Sequence, residues 1–312
     1  MTLRRVAFLG DLRLDGDEGE VFLPGEKLRH ILVILAWRAG ETVSRDELIE
    51  ELGLFRTTSN TTNALHAHMA RLRRWLRITC QDGDILATAQ SGYRLDIDRG
   101  NVDAHRFVTQ VEAALKIVPA APSIVVTMLE EALALWRSRA LVDLVDGAVG
   151  SAAADELFRL RAIARETLLD AWLALNCSSN VIQNARRFIT DDPLNERLWT
   201  QLIVALRRAG RHAEAVQSYL DAQKELNEEL GVRPSDELRS SIDGALGNSI
   251  FMGERKEFIE GLMRQPKTSW DWGLGDDRAA FPDDPAPSRY DLRTQSRSDG
   301  DRVLSRSRSS YR

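Results

Sequence analysis

The sequence predicts a mostly α-helical protein: an N-terminal winged helix-turn-helix of mixed α and β structure, then an all-α, tetratricopeptide-like helical repeat domain. Three observations carry that expectation. Short alternating strands, three helical periodicities and a closing hairpin follow one another within the first 98 residues. From Val102 onward the apolar residues recur almost only at helical spacing. Within that second part, Trp199, Leu202, Gly210, Ala215, Tyr219 and Ala222 keep the spacing of a tetratricopeptide unit, with Ala215 and Tyr219 as its small-then-aromatic element.

The elements justify themselves in order. Val6–Leu9, Leu12 with Leu14, and Val21–Leu23 are separated by Gly/Asp turns, which reads as a small antiparallel sheet. Pro24-Gly25 ends it, and Leu28, Ile31, Leu32, Leu35 and Ala36 open a helix that runs to Gly40. Ser44 to Glu47 is a capping box ahead of Leu48, Ile49 and Leu52, so a second short helix starts there. The polar stretch Thr57–Asn63 leads into a third helix whose core stripe is Leu65, Met69, Leu72 and Leu76. Ile85–Thr88 and Tyr93–Ile97, joined through Gln90-Ser91-Gly92, form a hairpin, the wing. Helical segments follow at 103–117, 124–137, 153–176, 180–190, 196–209, 212–230 and 235–246. After Gly247 the composition turns to Ser, Arg, Asp, Pro and Gly, too poor in apolar surface to offset its ordering entropy. The expected division is a winged helix over 1–98, a helical domain over 99–248 and a disordered tail over 249–312.

Bulk properties exclude several classes. The longest apolar run, Ile31 to Trp37, is too short to span a bilayer, so a cytoplasmic location without membrane association is expected. Two cysteines, Cys80 and Cys177, make no disulfide framework and have no metal-ligand spacing. His66 and His68 would point about 200° apart on a helix, so no metal and no cofactor are expected. No nucleophile elbow, paired catalytic carboxylates or phosphate-cradling loop is found, and the chain is not expected to be an enzyme. Trp136, Trp172 and Trp199 fall at apolar helical positions and read as core residues.

A net charge of −5 gives no global sign of nucleic-acid binding, so any such signal must be local. It is: Leu52 to Gln81 contains no Asp or Glu, yet holds Arg56, Arg71, Arg73, Arg74 and Arg77. With the apolar stripe of the third helix turned inward, Asn63, His66, Ala67, Ala70, Arg74 and Arg77 project outward, flanked by Arg71 and Arg73. Alanines let a helix approach a groove floor, Asn and Arg can pair bidentately with adenine and guanine edges, and flanking arginines meet phosphates. Thr88, Gln90, Ser91 and Arg94 on the wing are suitable donors to a phosphate backbone. The residues alone leave three readings open: a DNA-binding activator, a ligand- or partner-sensing repressor with the same domains, and an adaptor whose repeats bind a peptide.

The first part resembles the OmpR-type winged helix in Leu23-Pro24-Gly25, Ser44 with Leu48, Arg71-Leu72-Arg73-Arg74 with Leu76, and Gly92-Tyr93-Arg94-Leu95. The second is similar to the bacterial transcriptional activator domain. The matching strings are Val102-Asp103-Ala104 with Phe107, Leu135-Trp136-Arg137, Pro193-Leu194-Asn195-Glu196, and Leu230-Gly231-Val232-Arg233-Pro234-Ser235. Together they resemble the Streptomyces antibiotic regulatory protein family. That resemblance implies a pathway-specific activator of a secondary-metabolite gene cluster. It would bind direct repeats in double-stranded DNA as a side-by-side dimer and contact RNA polymerase holoenzyme.

Overall fold

The computed structural model describes residues 5–16, 19–56, 60–79, 83–118, 120–138 and 147–243; the expected tail over 249–312 lies outside them. The chain opens with a three-stranded antiparallel sheet, β1 (Arg5–Ala7), β2 (Arg13–Gly16) and β3 (Gly19–Val21), in the order β1-β2-β3. Helix α1 (Glu26–Trp37) follows, and every residue from His30 to Trp37 is buried. So thoroughly apolar a helix belongs at the centre of a domain rather than on its surface. Strand β4 (Thr42–Ser44), helix α2 (Arg45–Glu51) and helix α3 (Thr61–Thr79) come next, then the wing strands β5 (Leu86–Thr88) and β6 (Gly92–Leu95).

The expected capping box at α2 is present on both sides: Ser44 Oγ accepts from the Glu47 amide at 3.2 Å, and Glu47 Oε2 accepts from the Ser44 amide at 2.8 Å. Strand β4 was not expected. Its three residues, the last of which is the capping Ser44, pair antiparallel with β6 and give the wing sheet the order β4-β6-β5. A strand of three residues has too few side chains to show an alternation. The signal lies instead at Gly92, where a Cβ would sit 1.9 Å from the Val43 carbonyl oxygen. Only glycine lets β6 approach β4 so closely.

The helical part is built from α4 (Asp103–Ile117), α5 (Pro122–Ala134), α6 (Ala148–Ala174), α7 (Ser178–Asp191), α8 (Glu196–Arg208), α9 (His212–Leu230) and α10 (Asp236–Asp243). From α4 to α9 each helix packs on its successor, and α10 returns to α8 and α9. The strings that carry the family resemblance have structural work here. Asn195 caps α8 by accepting from the Arg197 and Leu198 amides, the Trp199 indole donates to the Pro193 carbonyl at 2.8 Å, and Glu196 accepts from the Ser235 amide at 2.7 Å. The Pro-Leu-Asn-Glu and Arg-Pro-Ser strings therefore touch.

A continuous apolar core joins the winged helix to the helical array, and the polar contacts of three residues, Asp103, Arg137 and Glu51, lock the seam. The Asp103 carboxylate accepts from the Phe8 and Leu9 amides at 2.9 and 3.0 Å. Arg137 donates to Asp103 and to the Asp11 carbonyl at 3.0 and 3.1 Å, while its own amide donates to the Leu9 carbonyl. Glu51, 2% exposed at the end of α2, accepts from the Val149 and Gly150 amides at the start of α6, at 2.6 and 3.1 Å. A carboxylate there satisfies two of the helix's unpaired amides and meets its positive end. Gly147 leaves room for it: a Cβ there would lie 2.2 Å from Glu51 Oε2, so a larger residue would have to displace the carboxylate.

Burial alone would push the Glu51 carboxyl up, but His30 and the two α6 amides bring it below its ordinary value. A carboxylate whose folded pKa is depressed stabilises the fold above its unfolded pKa, and that contribution disappears as pH falls through the folded value. Glu51→Gln is therefore expected to show a smaller loss of melting temperature than wild type between about pH 5 and pH 3. At neutral pH, Glu51→Ala is expected to destabilise the chain by about 2–3 kcal/mol, the scale of hydrogen bonds to a charged group. Thermal unfolding across pH checks both; parallel pH curves for Glu51→Gln and wild type would show that Glu51 does not hold α6 as a carboxylate.

Candidate nucleic-acid interface

Helix α3 begins at Asn60, whose side-chain oxygen accepts from the Asn63 amide at 3.1 Å while its carbonyl accepts from Ala64. That cap suits a helix N-terminus. Leu65, Met69, Leu72 and Leu76 are buried and fix the rotation of the helix. Asn63, His66, Ala67, Ala70, Arg71, Arg74 and Arg77 are all exposed. At 100° per residue they occupy an arc of about 140° of the helix circumference. None of Arg71, Arg74 and Arg77 pairs with a carboxylate among the described residues. Ile78, 67% exposed, stands on the same side at the far end. Sequence reasoning passed over it because an apolar side chain gives no charge signal. His68, at the flank, is pushed below its ordinary pKa by burial first and then by Arg71 and Lys27, which favours the uncharged ring.

Arg73 is placed differently from its neighbours. Its guanidinium donates to the Leu86 carbonyl at 2.8 and 3.2 Å and to the Thr88 hydroxyl at 3.0 Å. It ties the first wing strand to α3 and thereby sets the distance between the two surfaces. Thr88 is exposed but already accepts this bond. Arg94 is engaged too: its guanidinium meets the Asp96 carboxylate at 2.5 and 3.0 Å, and Asp96, through that bond, is held below its ordinary value. Gln90 and Ser91 are exposed at the wing turn. Their backbone is pinned by Arg45, whose side chain donates to the Gln90 carbonyl at 2.9 Å and whose amide donates to the Ser91 carbonyl at 3.1 Å. The first residue of α2 therefore fixes the wing tip, a role that its sequence position did not reveal.

The arrangement is an exposed helix face with three unopposed arginines, two small residues at its middle, an Asn and a His near its N-terminus, and a wing rigidly linked beside it. Among the described residues no group of three or more His, Cys, Asp or Glu side chains could hold a metal ion, and no helix is long and apolar enough to cross a membrane.

Residues 19–95 match the family described as transcriptional regulatory protein, C terminal, and residues 102–244 match the bacterial transcriptional activator domain. The transcriptional regulator RedD of Streptomyces coelicolor is 36% identical over 75% of this chain and 68% of its own length. The regulatory protein DnrI of Streptomyces peucetius is 27% identical over 75% of this chain and 89% of its own. A solved structure of Mycobacterium tuberculosis EmbR in complex with a low-affinity phosphopeptide superposes with a TM-score of 0.73 at 27% identity, covering 84% of this chain and 70% of that one. These relatives are transcriptional regulators, not enzymes. On the two matched domains and the RedD likeness, the chain belongs to the Streptomyces antibiotic regulatory protein family of transcriptional regulators.

Proposed function

We propose that the protein is a sequence-specific DNA-binding activator that lays α3 in the major groove and its wing along the neighbouring phosphates. The observation that carries this reading is the exposed, acid-free face of α3 with Arg71, Arg74 and Arg77 unopposed on it. In this reading Asn63, His66 and Arg74 meet base edges, Ala67 and Ala70 allow close approach, and Arg71 and Arg77 meet phosphates. Gln90 and Ser91 meet the backbone from the wing. Arg73 and Thr88 serve by holding the wing in register, and Arg94 serves through its pairing with Asp96. Two copies side by side on direct repeats about one helical turn apart would read the operator. The helical domain, taken as a tetratricopeptide-like array, would offer the surface that recruits RNA polymerase holoenzyme. Membership of the Streptomyces antibiotic regulatory protein family supports a secondary-metabolite gene cluster as the target. On this division 1–98 is the DNA-reading unit and 99–248 the partner-binding unit.

The test separates two kinds of arginine. Arg74→Ala is expected to weaken binding to the specific promoter site by about 1–3 kcal/mol and to relax base preference at one position. Arg77→Ala is expected to weaken specific and random DNA alike and to lower the salt slope by about one unit. Gel shifts across salt concentrations and mutated sites check both. Identical behaviour of the two variants would place the reading face elsewhere on α3, and no promoter binding by the full chain would remove the DNA reading altogether.

A further inference from the structure

Between the end of α5, the middle of α6 and α7 lies a cleft of about 530 Å³, within the range of small-molecule sites. Four arginines line it: Arg137, Arg161, Arg165 and Arg187. Their carboxylate partners are fewer. Arg165 meets Asp191 at 2.5 Å, Arg161 lies 4.0 Å from the same group, and Arg137 is paired with Asp103. Arg187 is exposed, donates to the Asn184 amide oxygen at 3.3 Å and pairs with no carboxylate among the described residues. Glu130 and Asp191 are the carboxylates on the lining, and even with Asp103 counted against Arg137 four guanidiniums face three carboxylates, so the positive charge is in excess.

Three of these arginines lie against aromatic rings. The Arg161 guanidinium lies 4.3 Å over the Trp136 ring, Arg165 and Arg187 lie 4.8 and 5.2 Å from the centre of Phe188, and Trp172 lines the cleft with them. A guanidinium held against an aromatic ring keeps its outer face available to a further planar group. Two buried donors on this lining, Trp136 Nε1 and Arg165 Nε, meet no acceptor among the described residues, and both residues are only 8% exposed. Buried donors without acceptors are costly, so a fold that keeps two on one cleft keeps them where an acceptor can arrive.

We propose that this cleft binds a planar organic anion, of the aromatic carboxylate or sulfonate class, and that its occupancy is felt at the seam with the winged helix. The ring would stack on the guanidinium planes that Trp136 and Phe188 back, and the anion would accept from the arginines. Arg137 makes the connection. It lines the cleft and also holds Leu9, Asp11 and Asp103 across the seam. This inference stands independently of the DNA reading, because both of its readouts are made without DNA.

The experiment titrates the full chain with 8-anilinonaphthalene-1-sulfonate, a fluorescent planar anion, and with its uncharged relative N-phenyl-1-naphthylamine. One saturable site for the anion is expected, displaced by 1-naphthoate, with the uncharged dye bound about ten-fold more weakly or worse. Arg187→Glu, at an exposed position, is expected to lower the anion's affinity about ten-fold or more and to leave the uncharged dye unchanged. Asn184→Trp, which fills the mouth without removing core, is expected to block both dyes. Hydrogen exchange of the segment around Leu9 and Asp11 is expected to change when the anion saturates. Non-saturable binding, equal affinity for both dyes, or an Arg187→Glu variant that binds like wild type would overturn the site, and unchanged exchange at saturation would overturn its link to the seam.

Discussion

Asp103→Ala is expected to destabilise the whole chain by about 3–5 kcal/mol, the loss typical of removing one partner from a buried ion pair. Three donors converge on that carboxylate, the Phe8 and Leu9 amides and the Arg137 guanidinium. Burial nonetheless pushes Asp103 above its ordinary pKa, with those donors acting only in part against it. The pair is thus an expensive arrangement whose removal is worse, because it orphans two amides and leaves the Arg137 guanidinium with backbone carbonyls but no carboxylate. Asp103→Asn keeps the shape but turns an amide N–H₂ toward one of the donors, and an intermediate loss is expected. Denaturant unfolding of the full chain measures both. A loss below about 1 kcal/mol for Asp103→Ala, the size of an exposed pair, would show that the seam does not depend on it. The same contacts bear on the isolated winged helix. Residues 1–98 lack Asp103, Arg137 and the α6 amides, so that fragment is expected to unfold at lower denaturant than the same residues within the chain.

Much of this fold was legible in the sequence, and its illegible parts share a cause. The capping box at Ser44, the inward stripe of α3 and the helical segments from α4 to α9 follow from local chemistry and periodicity, which a sequence displays. Strand β4 was missed because its pairing with β6 depends on Gly92, half a domain away in sequence. Helix α6 begins at Ala148, five residues before its apolar periodicity starts, because Glu51 caps it from the other domain. Helix α5 stops at Ala134 rather than at Arg137 because the Arg137 amide is drawn to Leu9. Each boundary is set by a partner nearly a hundred residues or more distant. On the proposed interface, helical phase placed the exposed residues of α3, whereas the engagement of Arg73 with Leu86 and Thr88 needed the tertiary fold. Family strings such as Asp103 and Trp136-Arg137 were recognisable as signatures before their role as the seam was visible.

Trp199→Ala is expected to cost about 3–5 kcal/mol, the range for removing a buried tryptophan, and to separate transcriptional activation from DNA binding. Trp199 is nearly buried in α8, and its indole donates to the Pro193 carbonyl, so truncation removes a packing anchor and the fastening of the loop before the helix. The main neighbours of α8 are α6, α7, α9 and α10, whereas the seam is made by α4, the segment after α5 and the first turn of α6. In an array where each helix rests on its neighbours, the damage should stay near its origin. Faster hydrogen exchange is therefore expected in α8, α9 and α10, with the α3 face intact and promoter binding detectable by gel shift. If the helical array supplies the polymerase-binding surface, transcription with purified RNA polymerase should fall to the unactivated level. Loss of DNA binding along with activation would mean that α6, which runs from the seam to α8, transmits the damage and that the two activities do not divide as proposed. Full activation by a variant with a loosened α8 would move the partner surface to the winged helix, where Phe22 and Phe55 stand 74% and 69% exposed.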